Sequence, residues 1–297
     1  MTRYRALGAY LKESYGSRLG KICIDGGFTC PNRDGTCGVG GCIFCGERGA
    51  GEHIRPAPIA EQVRQGLTAG HYEKYIAYFQ NFTNTYAPVD VLKRRYDEAL
   101  TDPRIVVLAV GTRPDCIDEE VAKLLASYRP RTDVWVELGL QTASDDTART
   151  INRGYPTSVY RKTADLLHRY DIPFVTHVMV GLPGEGMKEI KETSSLLAEV
   201  KPFGVKIHSI YVMRGTALAT LYEKKLYTPP TMDFYLEATC YLLTHLPKDT
   251  VIHRLTGDCP AGMLLAPEWN ADKNAVLLAL SRKMETEQLT QGMFFDG

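Results

Sequence analysis

A parallel α/β fold, an incomplete barrel or a doubly wound sheet, is predicted by three features of this 297-residue chain. β-rich runs alternate with segments of helical spacing, giving six βα units in succession. The strands read as near-continuous apolar runs, such as Ile105-Val106-Val107-Leu108-Ala109-Val110, the mark of a sheet covered on both faces. Polar residues gather just after the strands, where folds of this class place their chemistry.

Taken in order, the strands are Lys21–Ile24, Tyr75–Gln80, Ile105–Val110, Val134–Gln141, Phe174–Val180 and Val205–Val212, each rich in Val, Ile, Tyr or Phe. Between them, apolar residues recur at helical spacing over Ile59–Ala69, Val89–Leu100, Glu119–Tyr128, Thr157–Tyr170 and Glu189–Val200. Pro183-Gly184-Glu185-Gly186 marks the turn after the fifth strand. The tail supplies a helix over Asp233–Leu246, a strand-like Val251–Leu255 and a last helix near Ala271–Arg282. Residues 1–230 are read as the core, and residues 231–297 as an extension packed on it rather than an independent unit.

Composition sets the class. Hydrophobic residues make up 44% and charged residues 24%, ordinary for a globular chain. Lysine plus arginine equals aspartate plus glutamate at 35 each, so global charge does not argue for nucleic acid. No apolar run approaches the ~18 residues of a membrane helix. Met1-Thr2-Arg3-Tyr4-Arg5 is followed by no apolar stretch, which speaks against a signal peptide. Eight cysteines, several of them clustered, suit a reducing compartment, and the expected location is cytoplasmic.

The cysteines carry the sharpest signal. Cys30, Cys42 and Cys45 stand in a Gly-rich loop directly after the first strand, spaced Cys-x11-Cys-x2-Cys. Three thiolates can hold three irons of a 4Fe-4S cluster and leave the fourth iron open. Adding Cys37, the same loop also supplies four thiols for a tetrahedral zinc. The strand ends add Gln80-Asn81-Phe82-Thr83-Asn84-Thr85, Thr112-Arg113-Pro114-Asp115, Gln141-Thr142, Asn152-Arg153-Gly154-Tyr155, His177 and Lys206-Ile207-His208. Any one of these is an ordinary turn or core polar residue. Their occurrence at every strand end on the cysteine-bearing rim points to an active-site mouth.

These motifs resemble the radical S-adenosylmethionine (SAM) superfamily, and more closely the YhcC-like proteins related to the catalytic subunit of Elongator. The similarity runs from Gly26-Gly27-Phe28-Thr29-Cys30-Pro31-Asn32-Arg33-Asp34-Gly35 to His253-Arg254-Leu255-Thr256-Gly257-Asp258 and Ala266-Pro267-Glu268-Trp269. It includes Glu137-Leu138-Gly139-Leu140-Gln141, Gly181-Leu182-Pro183-Gly184 and Gly215-Thr216. The resemblance implies an incomplete (β/α)6 TIM-like barrel of the radical SAM type with a C-terminal helical and strand extension. It implies one 4Fe-4S cluster on Cys30, Cys42 and Cys45, SAM on the open iron, and an electron donor such as flavodoxin or ferredoxin. By the same resemblance Phe44 sits beside the adenine, Gln80 and Asn81 near the SAM amino group, and Gln141 near the methionyl or ribose part. Arg153 is matched to the SAM carboxylate and His177 to the ribose hydroxyls. Two departures stand out: the first cysteine spacing is eleven where most members have three, and the Gly-Gly-Glu motif after the second strand is absent.

For the substrate, kinship to Elongator suggests transfer RNA or another RNA. Seventeen tyrosines and Arg3, Arg5, Lys12, Arg18, Lys21 and Arg33 are available for it. A radical SAM enzyme acting on a small metabolite or peptide, and a non-catalytic iron-sulfur or zinc scaffold, are the competing readings. In the tail, His253, Arg254, Asp258 and Glu268-Trp269 either reach the open side of the barrel or serve capping and packing.

Overall fold

A computed structural model describes residues 3–49, 51 and 54–296. Met1 and Thr2 lie outside the described residues. Helix α1 (Leu7–Tyr15) leads into β1 (Gly20–Ile24), and α2 (Ile59–Ala69), β2 (Tyr75–Phe79), α3 (Val89–Ala99) and β3 (Ile105–Thr112) follow. Next come α4 (Glu119–Tyr128), β4 (Asp133–Gln141), the short α5 (Asp145–Thr150), α6 (Thr157–Arg169), β5 (Phe174–Val180), α7 (Met187–Val200) and β6 (Gly204–Ser209). The remainder is β7 (Val212–Met213), α8 (Ala217–Glu223), α9 (Met232–His245), β8 (Val251–Arg254), β9 (Leu264–Ala266) and α10 (Lys273–Thr286).

Seven parallel strands form one curled sheet in the order β1-β2-β3-β4-β5-β6-β8. The sequence predicts six, and the tail's β8 adds the seventh by pairing with β6. The predicted strand over Val205–Val212 is broken. Ile210 N–H still makes the ladder bond to Val180 O (3.0 Å), but its carbonyl is taken by Asn270 Nδ2 (3.1 Å), and the strand ends there. β7 then pairs antiparallel with β9 in a separate two-stranded sheet.

Period-two alternation sorts the strand side chains to two faces. On one face Ala77, Phe79, Leu108, Val110, Val136 and Leu138 pack under the helices with Leu92, Tyr96, Leu125, Tyr160 and Leu197. On the other, Ile76, Tyr78, Val107, Ala109 and Trp135 meet Leu11 of α1. Tyr10 of α1 adds an edge contact to Phe203 and a tilted one to Trp135. Helix α1 therefore plugs the inner face near the strands' N-terminal ends, and Gly16, in the left-handed region at φ 78°, stops it there. Chemistry is left to the opposite, C-terminal rim.

Of the tail residues, His253 and Trp269 turn inward, while Arg254 and Asp258 stay partly exposed in ion pairs. His253 lies edge-on to Trp135 and Phe203. Asp258 pairs with Lys273 and Arg254, and Trp269 donates to Pro230 O (3.1 Å).

Candidate active site

The loop after β1 is built on its own backbone. Arg33 N–H and Asp34 N–H return to Cys30 O, Gly41 N–H bonds Asn32 O (2.8 Å), and Cys45 N–H bonds Cys42 O (3.0 Å). Gly40 and Gly41 take positive φ, 80° and 76°, at the turn into Cys42. The segment after α5 holds the loop from the other side. Ile43 N–H bonds Ile151 O (3.1 Å), and Asn152 Nδ2 donates to Gly41 O (2.8 Å) and Val39 O (3.2 Å).

Cys30, Cys42 and Cys45 are free thiols lining one cavity at the strand ends. The same cavity is lined by Phe44, Gln80, Phe82, Thr83, Thr112, Arg113, Gly139, Gln141, Arg153 and Tyr155. Cys42 and Cys45 share a hydrogen bond, which eases ionisation of one thiol and opposes that of the other. Cys37 is exposed and lines a separate groove with Cys116.

Three thiols on one cavity fit a 4Fe-4S cluster. Among the described residues, no three Cys, His, Asp or Glu side chains converge on a position for one metal ion. A 4Fe-4S cube takes each thiolate on a different iron, so its ligands do not need to converge. The cavity's other walls offer amides, hydroxyls, a guanidinium and aromatic rings, suited to an amino-acid and nucleoside ligand.

Two wall residues, Gln141 (φ 63°) and Phe82 (φ 57°), are non-glycines in the left-handed region. Such strain collects where a site over-determines the backbone. Arg153 is fully buried, and its donors are all engaged. Nε bonds Tyr155 O (3.0 Å), Nη1 bonds Leu140 O and Thr142 O (2.7 Å each), and Nη2 reaches Thr157 Oγ1 (3.0 Å) and Asp145 Oδ1 (3.4 Å). It is a strut of the wall, and a carboxylate would have to displace one of these bonds to reach it. Arg113, which the sequence marks only as a strand-end residue, shares that wall. It forks onto Asp115 (2.9 and 2.7 Å), bonds Arg153 O (2.8 Å) and keeps N–H capacity to spare. Both guanidinium groups lie over the Tyr155 ring, at 4.8 and 4.5 Å.

The remaining candidates separate. Phe44, Gln80 and Gln141 line the cavity. Asn81 is buried outside that lining and donates to Asp25 Oδ2 (2.9 Å), which also takes Arg48. Asn84 and Thr85 knit β2 to β3. Asn84 Nδ2 bonds Phe79 O and Gly111 O, and Thr85 Oγ1 contacts Thr112 Oγ1 (2.6 Å). His177 lies outside the lining too, with Nε2 on Glu137 Oε2 (2.9 Å).

His177 belongs instead to a polar layer on the inner face. Glu137 sits between His177 and Lys206, and the Lys206 ammonium lies 3.5 Å from Tyr78 Oη and 4.8 Å from that ring. Glu137 and Lys206 are 3% and 4% exposed, so neither charge has recourse to water. Burial alone would raise the Glu137 carboxyl, but Lys206 and then His177 draw it well below its ordinary value. Along β4, Glu137, Gly139 and Gln141 are successive residues of one face, so this layer lies directly beneath the cavity.

The turn after β5 holds a second perturbed carboxyl. Burial raises Glu185 to about 7 from its ordinary 4.5. The folded state then holds the proton more tightly than the unfolded chain, so stability falls as pH rises from 4.5 to about 7. Glu185→Gln is expected to flatten this slope and to stabilise the protein at pH 8 by about 2–3 kcal/mol, read from denaturant midpoints at several pH values.

Comparison with known proteins agrees with this architecture. The family model described as Radical SAM superfamily matches residues 30–197, and the Radical_SAM C-terminal domain matches residues 202–286. The uncharacterized protein YtqA of Bacillus subtilis is 37% identical over 299 residues, covering 99% of this chain and 93% of that protein. Protein YhcC of Escherichia coli is 37% identical over 278 residues, covering 93% and 90%. A tRNA uridine(34) acetyltransferase of Methanocaldococcus jannaschii is 30% identical over 166 residues, which is 54% of this chain and 30% of that protein. Among solved structures, the archaeal Methanocaldococcus infernus Elp3 shares the fold with a TM-score of 0.71 at 18% identity, covering 92% of this chain. The present chain spans 64% of that longer protein.

Proposed function

The chain belongs to the radical SAM superfamily, and on that premise we propose that it acts on transfer RNA, with a 4Fe-4S cluster held by Cys30, Cys42 and Cys45 and SAM bound beside it. The observation that carries this reading is the cavity itself: three free thiols on one wall, with polar and aromatic side chains opposite, at the C-terminal rim of the sheet. When bound and given one electron by a low-potential flavodoxin or ferredoxin, the cluster supplies reductive cleavage of SAM to methionine and a 5′-deoxyadenosyl radical.

The chain's own residues supply position and shelter. Phe44 offers a face for the adenine, and Gln80 and Gln141 offer amides for the amino-acid and ribose groups. Arg153 cannot provide an open fork while its five bonds stand, so the unused N–H capacity of Arg113 complements it for the SAM carboxylate. Tyr155 and Phe82, packed against guanidinium groups, wall the cavity against water. Asn81 and His177 act from behind the wall through Asp25 and Glu137.

Transfer RNA is favoured because the matched tRNA uridine(34) acetyltransferase shares sequence with 54% of this chain. Acetyl transfer is not carried over, because most of that protein lies outside the match. Unfractionated tRNA from cells lacking this protein should raise 5′-deoxyadenosine formation several-fold over tRNA from cells that have it. Equal yields with both, together with stimulation by a small-molecule extract, would replace tRNA with a metabolite substrate.

A further inference from the structure

We propose that Asn32 sets the reduction potential of the cluster through the sulfur of Cys42, an inference that rests on the cluster reading above. Asn32 is completely buried, although Asp34 to Cys37 just after it are exposed. Its Nδ2 donates to Asn152 O and to Cys42 Sγ, the latter at 3.8 Å. Its Oδ1 has no partner among the described residues. The amide has one workable orientation: turned over, it would set an oxygen against a carbonyl and a sulfur, both acceptors. Room for that orientation is made by glycines. A Cβ on Gly38 would lie 2.4 Å from Oδ1, and one on Gly154 would lie 3.0 Å from it.

Shape alone does not explain the residue. Leucine has nearly the same outline and would leave no buried oxygen unpaired, a state that costs free energy. What leucine lacks is the amide that donates both to the Asn152 carbonyl and toward the sulfur. A hydrogen bond donated to a ligating thiolate favours the more negative, reduced cluster and so raises its potential. Arg113 also bears on Cys42, through its charge rather than a hydrogen bond, since its bonded N–H groups go to Asp115 and the Arg153 carbonyl. Asn32 contributes a neutral donor whose direction is fixed by the Asn152 carbonyl. That carbonyl belongs to the segment whose side chain clamps Gly41, so the donor moves with the cysteine loop.

The test is an anaerobic redox titration of the reconstituted protein, followed by electron paramagnetic resonance of the reduced cluster. Wild type is compared with Asn32→Leu, which removes the donor, and Asn32→Asp, which puts an oxygen in its place. Both midpoints should move to more negative potential, the Asp variant further. At a fixed donor potential its reduced-to-oxidised ratio should fall about tenfold, equivalent to ~59 mV for one electron. An unchanged or more positive midpoint in whichever variant keeps its cluster overturns the proposal. Cluster loss from both variants also overturns it, leaving Asn32 as a fastener of the loop only. A wild-type protein that holds no 4Fe-4S cluster would fail the underlying reading, and iron and sulfide analysis detects that separately.

Discussion

Cys42→Ala is expected to strip the cluster and with it all reductive SAM cleavage. Cys42 lines the cavity with Cys30 and Cys45, and no spare thiol stands beside it. Cys37 is exposed and faces the groove that contains Cys116. Enzymes accelerate their reactions by ~10⁶-fold or more, and a protein without its cluster retains none of that for this step. Iron content of the purified variant should fall well below wild type, with 5′-deoxyadenosine at the reagent background. Cys37→Ala is the matched control and should keep both. Should Cys37→Ala lose the metal as Cys42→Ala does, a four-thiolate site would be indicated, with zinc as its natural occupant.

The second large effect concerns stability. Glu137→Leu leaves the Lys206 ammonium buried with no counter-charge, and removing one partner of such a pair costs about 3–5 kcal/mol. The double variant Glu137→Leu/Lys206→Met removes both charges and should regain most of that loss, because a well-packed apolar pair is often as stable as the ion pair. Denaturant midpoints of wild type, both single variants and the double variant close the cycle. Acid gives an independent check. The Glu137 pKa is depressed on folding, so its contribution is complete above the ordinary 4.5 and is lost as pH falls through the lower folded value. Glu137→Leu should therefore show a shallower loss of stability below pH 4.5 than wild type.

Residues that act through local pattern were legible in the sequence. The apolar runs of β2 and β3 identify buried parallel strands, because strands covered on both faces are mostly apolar on both. That three cysteines would meet at one cavity was legible for a related reason: one loop carries them, and spacing is a sequence property. Elements fixed by distant partners were not. β6 ends at Ser209 where Asn270, sixty residues on, takes the Ile210 carbonyl. α1 offers Leu7, Tyr10, Leu11 and Tyr15 at helical spacing over nine residues, and what holds it includes Trp135 and Phe203. Arg153 shows the limit most clearly. A guanidinium at a strand end reads as a carboxylate fork, yet the backbone carbonyls of Leu140, Thr142 and Tyr155 take most of its donors. Carbonyl direction depends on the fold, as does the alignment that makes His177 a partner of Glu137 rather than of a ligand in the cavity.

The most direct test of the radical reading is chromatographic detection of 5′-deoxyadenosine from anaerobically purified, iron- and sulfide-reconstituted protein given dithionite and SAM. The account predicts 5′-deoxyadenosine and methionine in equal amounts, absent without dithionite. A preparation shown to carry a full 4Fe-4S cluster that neither binds SAM nor yields 5′-deoxyadenosine would contradict it, and the cavity would then belong to an electron carrier or scaffold.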